Sequence, residues 1–396
     1  MKHIIIIGGG ASGILAAIRL ADITEDVHIT IVEKNERIGK KLLTTGNGRC
    51  NITNAHISAL SYDSAFVKDV LSRYDFHFTK DYFTSLGLPI KEDDTGRCYP
   101  LSENANNCLN IFLAALRKRH IDILTSFEVK NIKKQSGRFI VCGEKNPEAD
   151  AVLLAVGSAA SVKGYNGADL LHNLRFSCQK PSPALCPIPT DESFFKELKG
   201  VRVKGGITLG EHCESGEIQF AENALSGICA FNLAKYAQDG VVATLDFHNE
   251  AFDKRRTQEM IRQKAAQAAQ NAELLDFLLP RKLAFVLLKQ AGLKPSGNPQ
   301  TLEDQDFEKL TDLVFAFPVR VKKPTDFRNA QTVCGGLDAA QVDPHTLQAR
   351  HLPGLFVSGE LLDADGPCGG YNLQWAWSSG MCAADSIKAY LEKNID

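Results

Sequence analysis

Three glycines and one acid carry the first chemistry legible in this chain. Gly8, Gly10 and Gly13 stand in G-x-G-x-x-G spacing directly after four isoleucines at 4–7, and Glu33 follows twenty residues beyond Gly13. The run 2–7 reads as a strand, the apolar positions Ile14, Leu15, Ala17, Ile18 and Ala21 as a helix, and 27–32 as a second strand. Each glycine then serves a separate need. Gly8 permits a tight turn, Gly10 lets the backbone approach a pyrophosphate, and Gly13 lets helix and strand pack closely. The free amides at the helix start, around Ala11 and Ser12, attract phosphate, and Glu33 is placed to hold ribose hydroxyls. The pattern predicts a bound dinucleotide.

Four further segments fit around such a ligand. The strand 153–156 ends in Ala155-Val156-Gly157-Ser158, where chain passes close to a neighbour. The loop 40–51 is dense in glycine, threonine and asparagine, and its Lys40, Lys41 and Arg49 can neutralise a phosphate or a developing anion. A third segment ends a strand at Ser358-Gly359-Glu360 and offers a carboxylate to polyol hydroxyls. The fourth, 365–376, places Gly369-Gly370 before an apolar helix, a second helix start suited to negative charge. Trp375 and Trp377 in that helix read as packing residues. No other G-x-G-x-x-G with a trailing acid is present. Gly205-Gly206 and Gly335-Gly336 open no helix, so a nicotinamide, if used, binds transiently and has no Rossmann domain of its own.

The elements that position these residues follow from pattern. Beyond the opening unit the sequence predicts helices at about 64–74 and 79–86, an extended pair near Ile90 and Cys98-Tyr99, and a helix capped by Ser102 and running to Arg119. Strands follow at 121–124, 127–133, 138–142 and 151–156. Prolines 181, 183, 187 and 189 mark a junction to short β-type runs at 201–203, 207–209, 218–220 and 241–247. Helices then read at 252–271, 273–278, 281–290 and 302–315 before strand patterns return from Ala330 and a last helix runs to Leu391. Because the closing strand and helix resemble the opening ones, the middle reads as an insertion into one nucleotide-binding domain.

With 396 residues, 44% hydrophobic and 23% charged, the chain has the composition of a globular protein of two or three domains. A net charge of −2 gives no electrostatic reason for nucleic acid or an anionic membrane as partner. No apolar stretch approaches the ~20 residues that span a bilayer. Eleven cysteines without a C-x-x-C pair, and ten histidines without a metal-ligand spacing, point to reduced thiols in the cytoplasm and no metal site.

The glycine motif with Glu33, the strand end at Ala155 to Gly157 and the C-terminal Ser358-Gly359-Glu360 resemble the glutathione-reductase-like class of FAD proteins. More narrowly, the stretches 39–54 and 369–376, together with 183–188 and Asn329-Ala330-Gln331 before Gly335-Gly336, resemble the BaiN/aminoacetone-oxidase-like (YhiN-like) flavoproteins. The resemblance covers essentially the whole chain. It implies an α/β fold in which a Rossmann-like FAD-binding domain (1–185 and 327–396) is interrupted by a β-barrel-like insert (186–251) and a helical insert (252–326). It implies FAD, with Gly8, Gly10, Ala11, Ser12 and Gly13 at the pyrophosphate, Glu33 and Lys34 at the adenosine ribose, and Val129 at the adenine. Lys41, Thr45, Gly46 and Asn47 would line the flavin side, with Ala155 and Gly157 beside the cofactor. Gly359 and Glu360 would meet the ribityl and pyrophosphate part, and Gly370, Tyr371, Asn372 and Leu373 the isoalloxazine edge. Two departures stand out: Val156 replaces the usual Thr, and 220–227 differs from the family's insert loop at two positions, which bears on substrate choice.

The expected activity is FAD-dependent hydride transfer between flavin and a small organic substrate, including NAD(P)H-dependent reduction of an activated double bond. An oxygen-using oxidase of an aminoketone is the alternative. A tRNA-acting flavoprotein and a non-enzymatic flavin carrier are alternatives of other classes. Cys50, Cys368 and Tyr371 fall in segments expected near flavin and each can carry a proton; Cys50 and Cys368 fit equally as small packing residues. The residues name no catalytic acid or base and no oligomeric state.

Overall fold

In the computed structural model, residues 1–64, 66–162, 164–248 and 252–393 are described. The chain forms two compact units, one from 1–182 and 332–396, the other from 183–331.

The first unit is built on five parallel strands in the order Leu355–Val357, Ala151–Leu154, Lys2–Ile7, Val27–Val32, Asp122–Leu124. Ile4, Ile5 and Ile6 are fully buried at the centre, as expected of a parallel strand covered on both faces. The opening helix, Ala11–Ile23, packs against the closing helix, Tyr371–Lys393. Their approach is close because Gly380 lacks a side chain: a Cβ there would lie 2.5 Å from the backbone oxygen of Ser12. Arg19 reinforces the crossing with a two-pronged contact to Asp385, at 2.8 and 3.0 Å. Trp375 and Trp377 are fully buried packing residues, as the sequence suggests; Trp377 meets Phe83 and Phe112 ring to ring.

The second unit holds a six-stranded antiparallel sheet in the order Ile188–Pro189, Ala224–Ser226, His212–Phe220, Arg202–Leu209, Val242–Asp246, Phe317–Arg320. A bridge between Thr190 and Val321, with the N–H of Lys322 donating to Pro189 O at 2.8 Å, joins first strand to last. The sheet therefore curls into a small barrel, which removes its exposed edges. Helices Lys254–Ala265, Arg281–Ala291 and Asp304–Phe315 form an excursion between its last two strands.

Several sequence expectations shift in detail. The helix expected from Ser102 is Ala105–Lys118, because the Asn104 side chain accepts from the N–H groups of Asn106 and Asn107. The strand expected at 127–133 forms only at Asn131–Gln135; upstream, the Phe127 N–H donates to Glu33 O. The helix expected over 252–271 spans Lys254–Ala265, capped by Asp253, and 273–278 forms no α-helix.

At the base of the parallel sheet, His3 stacks on His28 with ring centroids 4.5 Å apart. Its Nδ1 lies 2.6 Å from Glu148 O and its Nε2 2.9 Å from the Thr30 hydroxyl. A carbonyl only accepts, so the neutral ring carries its proton on Nδ1 and accepts at Nε2. Burial pushes the His3 imidazole below its ordinary 6.5, so the unfolded chain binds this proton more readily. The stabilisation is complete above 6.5 and is lost as pH falls toward the folded value. Urea midpoints should therefore drop between pH 7 and 5 more steeply in the natural protein than in His3→Gln; parallel curves would contradict this. Gly380→Val should destabilise by about 3 kcal/mol, since the close neighbour is backbone that has no rotamer to yield. A denaturant midpoint unchanged from the natural protein would refute that packing.

Candidate functional site

The glycine turn has two kinds of glycine. Gly8 has φ +109° and a Cβ there would lie 2.3 Å from Ala155 O; a Cβ on Gly13 would lie 2.1 Å from Gly8 O. These two are required by the fold itself. Gly10 is different: its φ is −84°, open to any residue, and a Cβ would meet nothing within 4 Å. No protein neighbour explains a glycine there, whereas a group pressed against the backbone does. Gly10 also starts the opening helix without a side-chain cap, leaving the first-turn amides of Ala11, Ser12 and Gly13 without intrahelical acceptors. The turn fits a dinucleotide's pyrophosphate on both counts.

Glu33 sits at the end of the second strand and braces this turn. Its Oε2 accepts from the Gly9 N–H at 2.9 Å and its Oε1 from the Asn35 N–H at 2.8 Å. The Asn35 side-chain amide also donates to Oε1, so of about four acceptor positions one, on Oε2, remains for a hydroxyl donor. Val129 is buried in the segment held against this strand end, and its carbonyl accepts from the Asn166 amide at 3.1 Å.

A second set of residues is tied together by side-chain contacts. Lys41 Nζ donates to Glu360 Oε2 at 2.5 Å, and Ser158 Oγ reaches the same oxygen at 3.2 Å. Tyr165 donates to Gly157 O at 2.9 Å, and Lys34 Nζ, 6.0 Å from the Tyr165 ring centre, donates to Gly164 O. Burial raises the Tyr165 phenol above its ordinary value, so it remains a donor. Sequence reading placed Lys34, Lys41, Gly157 and Glu360 but missed Tyr165, which no motif marks. Gly359 packs on Ser12, its backbone N–H donates to Ser379 at 2.9 Å, and Trp375 Nε1 donates to its carbonyl at 3.1 Å. The residue before it, Ser358, is fully buried, and its hydroxyl has no hydrogen-bond partner among the described residues.

The loop 40–51 is a 3-10 turn over Leu42–Gly48 that breaks at Thr45, with Gly46 and Asn47 both left-handed at φ +56° and +55°. Thr45 holds the break by donating to Leu42 O at 2.7 Å and accepting the Cys50 N–H at 3.0 Å. Cys50 is fully buried with its sulfur 3.7 Å from that of Cys108. The Cys50 sulfur and burial together push the Cys108 thiol up. Arg49 spreads over the Tyr99 ring at 4.6 Å and pairs with Glu103 at 3.7 Å.

At the start of the closing helix a Cβ on Gly370 would lie 2.3 Å from Thr53 O, so this glycine is a packing requirement. Asn51 Oδ1 accepts the Gly370 N–H at 3.2 Å, in the amide orientation that also lets its nitrogen donate to Thr53 O and Cys98 O. The Asn372 side chain is committed to the turn, accepting from Gly366 N–H at 3.0 Å and donating to Gly366 O at 2.8 Å. Tyr62 donates to Tyr371 O at 2.7 Å, and Leu373 is half-buried. Gln374, which sequence reading left unassigned, is a buried hub joining Thr53, Tyr74, Asp75, Thr79 and Ser378. Among the described residues no cluster of metal-ligating side chains occurs, and no helix is long and apolar enough to cross a membrane.

Residues 2–386 match the family described as HI0933-like protein Rossmann domain. The chain is 34% identical over 404 residues to a 3-dehydro-bile acid delta(4,6)-reductase of Clostridium scindens, covering 97% of this chain and 98% of that one. It is 26% identical to a ribosomal RNA dihydrouridine synthase of Escherichia coli, again over 97% and 98% of the two chains. Among solved structures, the quinol fumarate reductase chain FrdA of E. coli aligns with a TM-score of 0.50 at 14% identity, over 100% of this chain and 72% of that one, a likeness of fold.

The two kinds of glycine separate folding from binding. Gly10→Val should leave the thermal midpoint within a few degrees of the natural protein yet abolish flavin retention, whereas Gly13→Leu should fail to fold. A yellow, stable Gly10→Val protein would refute the assignment. Replacing Cys50 and Cys368 by Ala should leave turnover within threefold; a large loss in kcat with flavin retained would give one of them a chemical role.

Proposed function

Because the chain belongs to the HI0933-like family and is an FAD-dependent oxidoreductase, we propose that it reduces a C=C bond conjugated to a carbonyl in a small organic substrate, with NAD(P)H as the electron source. The observation that carries the cofactor reading is Gly10: its backbone tolerates any residue, no protein atom fills the space where a side chain would go, and the helix start behind it is uncapped. The substrate class rests on the relatives. A bile acid delta(4,6)-reductase and a dihydrouridine synthase, as named, both saturate a C=C bond conjugated to a carbonyl. Near-full coverage of each relative supports a shared reaction type.

In this reading Ala11, Ser12 and Gly13 present amides to the pyrophosphate, and Gly8 and Gly10 shape the turn that lets it approach. Glu33 accepts from ribose hydroxyls while it holds Gly9, with Lys34 alongside and Val129 at the adenine. Gly359 and Glu360 meet the ribityl and pyrophosphate region, with the Glu360 carboxylate oriented by Lys41 and Ser158. Ala155 and Gly157 close the strand end. Thr45, Gly46 and Asn47, and the backbone of Gly370, Tyr371, Asn372 and Leu373, border the isoalloxazine. FAD supplies the acceptor and donor of hydride; the protein's part is to hold it, exclude water and polarise the substrate.

Oxidation of an aminoketone with oxygen and action on RNA are the competing readings. The second is favoured by the dihydrouridine synthase relative and opposed by the net charge of −2, since RNA affinity rests on phosphate neutralisation. Anaerobic stopped-flow mixing of the FAD-loaded protein with NADH and with NADPH decides the direction. The proposal expects flavin bleaching by at least one, followed by reoxidation on adding a conjugated enone such as cyclohex-2-enone. No bleaching by either would remove the reductase reading; reoxidation by a uridine-containing ribosomal RNA fragment but by no small enone would favour RNA.

A further inference from the structure

Beside the start of the closing helix, three polar side chains converge on one point. A Cβ on Gly369 would lie 3.4 Å from Nε of Arg97, 3.7 Å from Nδ2 of Asn54 and 3.7 Å from a ring carbon of Tyr371. Of the three, Asn54 is committed: its Nδ2 donates to Gly369 O at 3.0 Å and its Oδ1 accepts the His56 N–H at 2.9 Å. Arg97 and Tyr371 are not. Both are half-buried, and neither the Arg97 guanidinium nor the Tyr371 hydroxyl has a hydrogen-bond or ion-pair partner among the described residues. Arg97 meets Asp93 through its backbone alone, its N–H donating to Asp93 Oδ1 at 3.1 Å and its carbonyl accepting the Asp93 N–H at 2.9 Å. A half-buried guanidinium without an acceptor is costly, and nearby cations in this unit, Lys41 and Arg49, are both paired.

The strand Arg97–Pro100 explains how Arg97 comes to this point. Alternation puts Arg97 and Tyr99 on one face and Cys98, which is buried, on the other. Gly369 has φ +126° and Gly370 +102°, a left-handed pair that only glycine adopts without strain. The missing Cβ of Gly369 leaves clear a space that the Arg97 Nε and the edge of the Tyr371 ring border. Gly370 has no room for a Cβ against Thr53, whereas the atoms nearest a Cβ on Gly369 all belong to the side chains named above.

We infer that Arg97 and Tyr371 are the substrate-facing pair of the site: Arg97 holds the oxygen of a carbonyl conjugated to the reducible C=C bond, and the Tyr371 hydroxyl supplies the proton that completes its saturation. This rests on the reductase reading above. Hydride addition at the β-carbon forms a C–H bond there and moves the C=C pair toward the carbonyl, leaving an enolate oxygen. That negative charge falls on the Arg97 guanidinium, where two N–H donors can meet one oxygen. The Tyr371 O–H bond then breaks as a new C–H bond forms at the α-carbon, the carbonyl is restored, and the tyrosinate takes its proton back from water. The two electrons come from NAD(P)H. Burial raises the Tyr371 phenol while Arg97 lowers it, which keeps it protonated at neutral pH and near a cation that eases its release. Cys368, in the same turn, is pushed up by burial and remains a neutral thiol.

The test uses the FAD-loaded full chain and pentafluorophenolate, an anion that mimics an enolate oxygen, measured by calorimetry alongside turnover of cyclohex-2-enone. Arg97→Gln should weaken phenolate binding at least tenfold and lower kcat/KM about 100-fold, with Arg97→Lys between it and the natural protein. Tyr371→Phe should keep phenolate affinity within threefold while lowering kcat at least tenfold with KM little changed. Thermal melts and FAD content confirm that each variant is folded. Natural-protein phenolate affinity in Arg97→Gln, or no phenolate binding by the natural protein, would overturn the Arg97 role; an unchanged kcat in Tyr371→Phe would overturn the proton role. If the natural protein reduces no enone, the reductase reading fails by itself, and the calorimetric comparison still decides whether Arg97 is an anion-holding residue.

Discussion

The contact that the rest of the first unit depends on is the one at Ser12. Gly380 of the closing helix meets its backbone oxygen and Gly359 packs on its side chain, both without a Cβ. This brings residues separated by almost the whole length of the chain within van der Waals reach. The glycine turn after the first strand and the Gly359-Glu360 segment after the last parallel strand then stand side by side at the same end of the sheet. That end, beyond the carboxyl termini of parallel strands, is where open α/β sheets bind ligands. Within the first unit, the part before 182 and the part after 332 are thus held together by helix packing rather than by the chain segment that connects them.

What was legible in the sequence and what was not divide along the range of the interactions. The opening strand, the turn and the first helix are specified by neighbours a few residues apart, and they form where the sequence places them. The β-rich character of this unit was legible from short β-type runs after the prolines, while the barrel was an expectation of the family resemblance. Its closure through Thr190 and Val321 was not legible, since it pairs positions more than a hundred residues apart. The shift of a helix start from Ser102 to Asn104 is a competition between two good caps, settled by which side chain reaches the free amides. The strand expected at 127–133 starts late because Phe127 bonds instead to Glu33, a contact made only in the folded sheet.

The same division holds within the site. Motif residues such as Gly8, Gly13 and Glu33 announce themselves, but the structure changes what they mean. Gly8 and Gly13 are demanded by packing, whereas no protein neighbour demands Gly10, which is why the proposal gives it to the ligand. Glu33 braces Gly9 as well as facing outward. Tyr165 and Arg97 lie in no motif, and Gln374, though within the 369–376 stretch, carries no role that the stretch itself discloses. Arg97 becomes visible only when the strand that carries it is laid beside Gly369, and its lack of an acceptor is a property of three dimensions alone. The proposed cofactor end thus rests on sequence motifs, while the proposed substrate end rests on side chains that only the fold brings together.

The measurement that bears most directly on this account is the visible absorbance spectrum of the freshly purified protein, followed by identification of whatever chromophore is released on denaturation. The account predicts the two-banded spectrum of oxidised flavin and release of FAD in about one equivalent per chain. A protein that is colourless as purified, and stays colourless after incubation with FAD and removal of the excess, would contradict it.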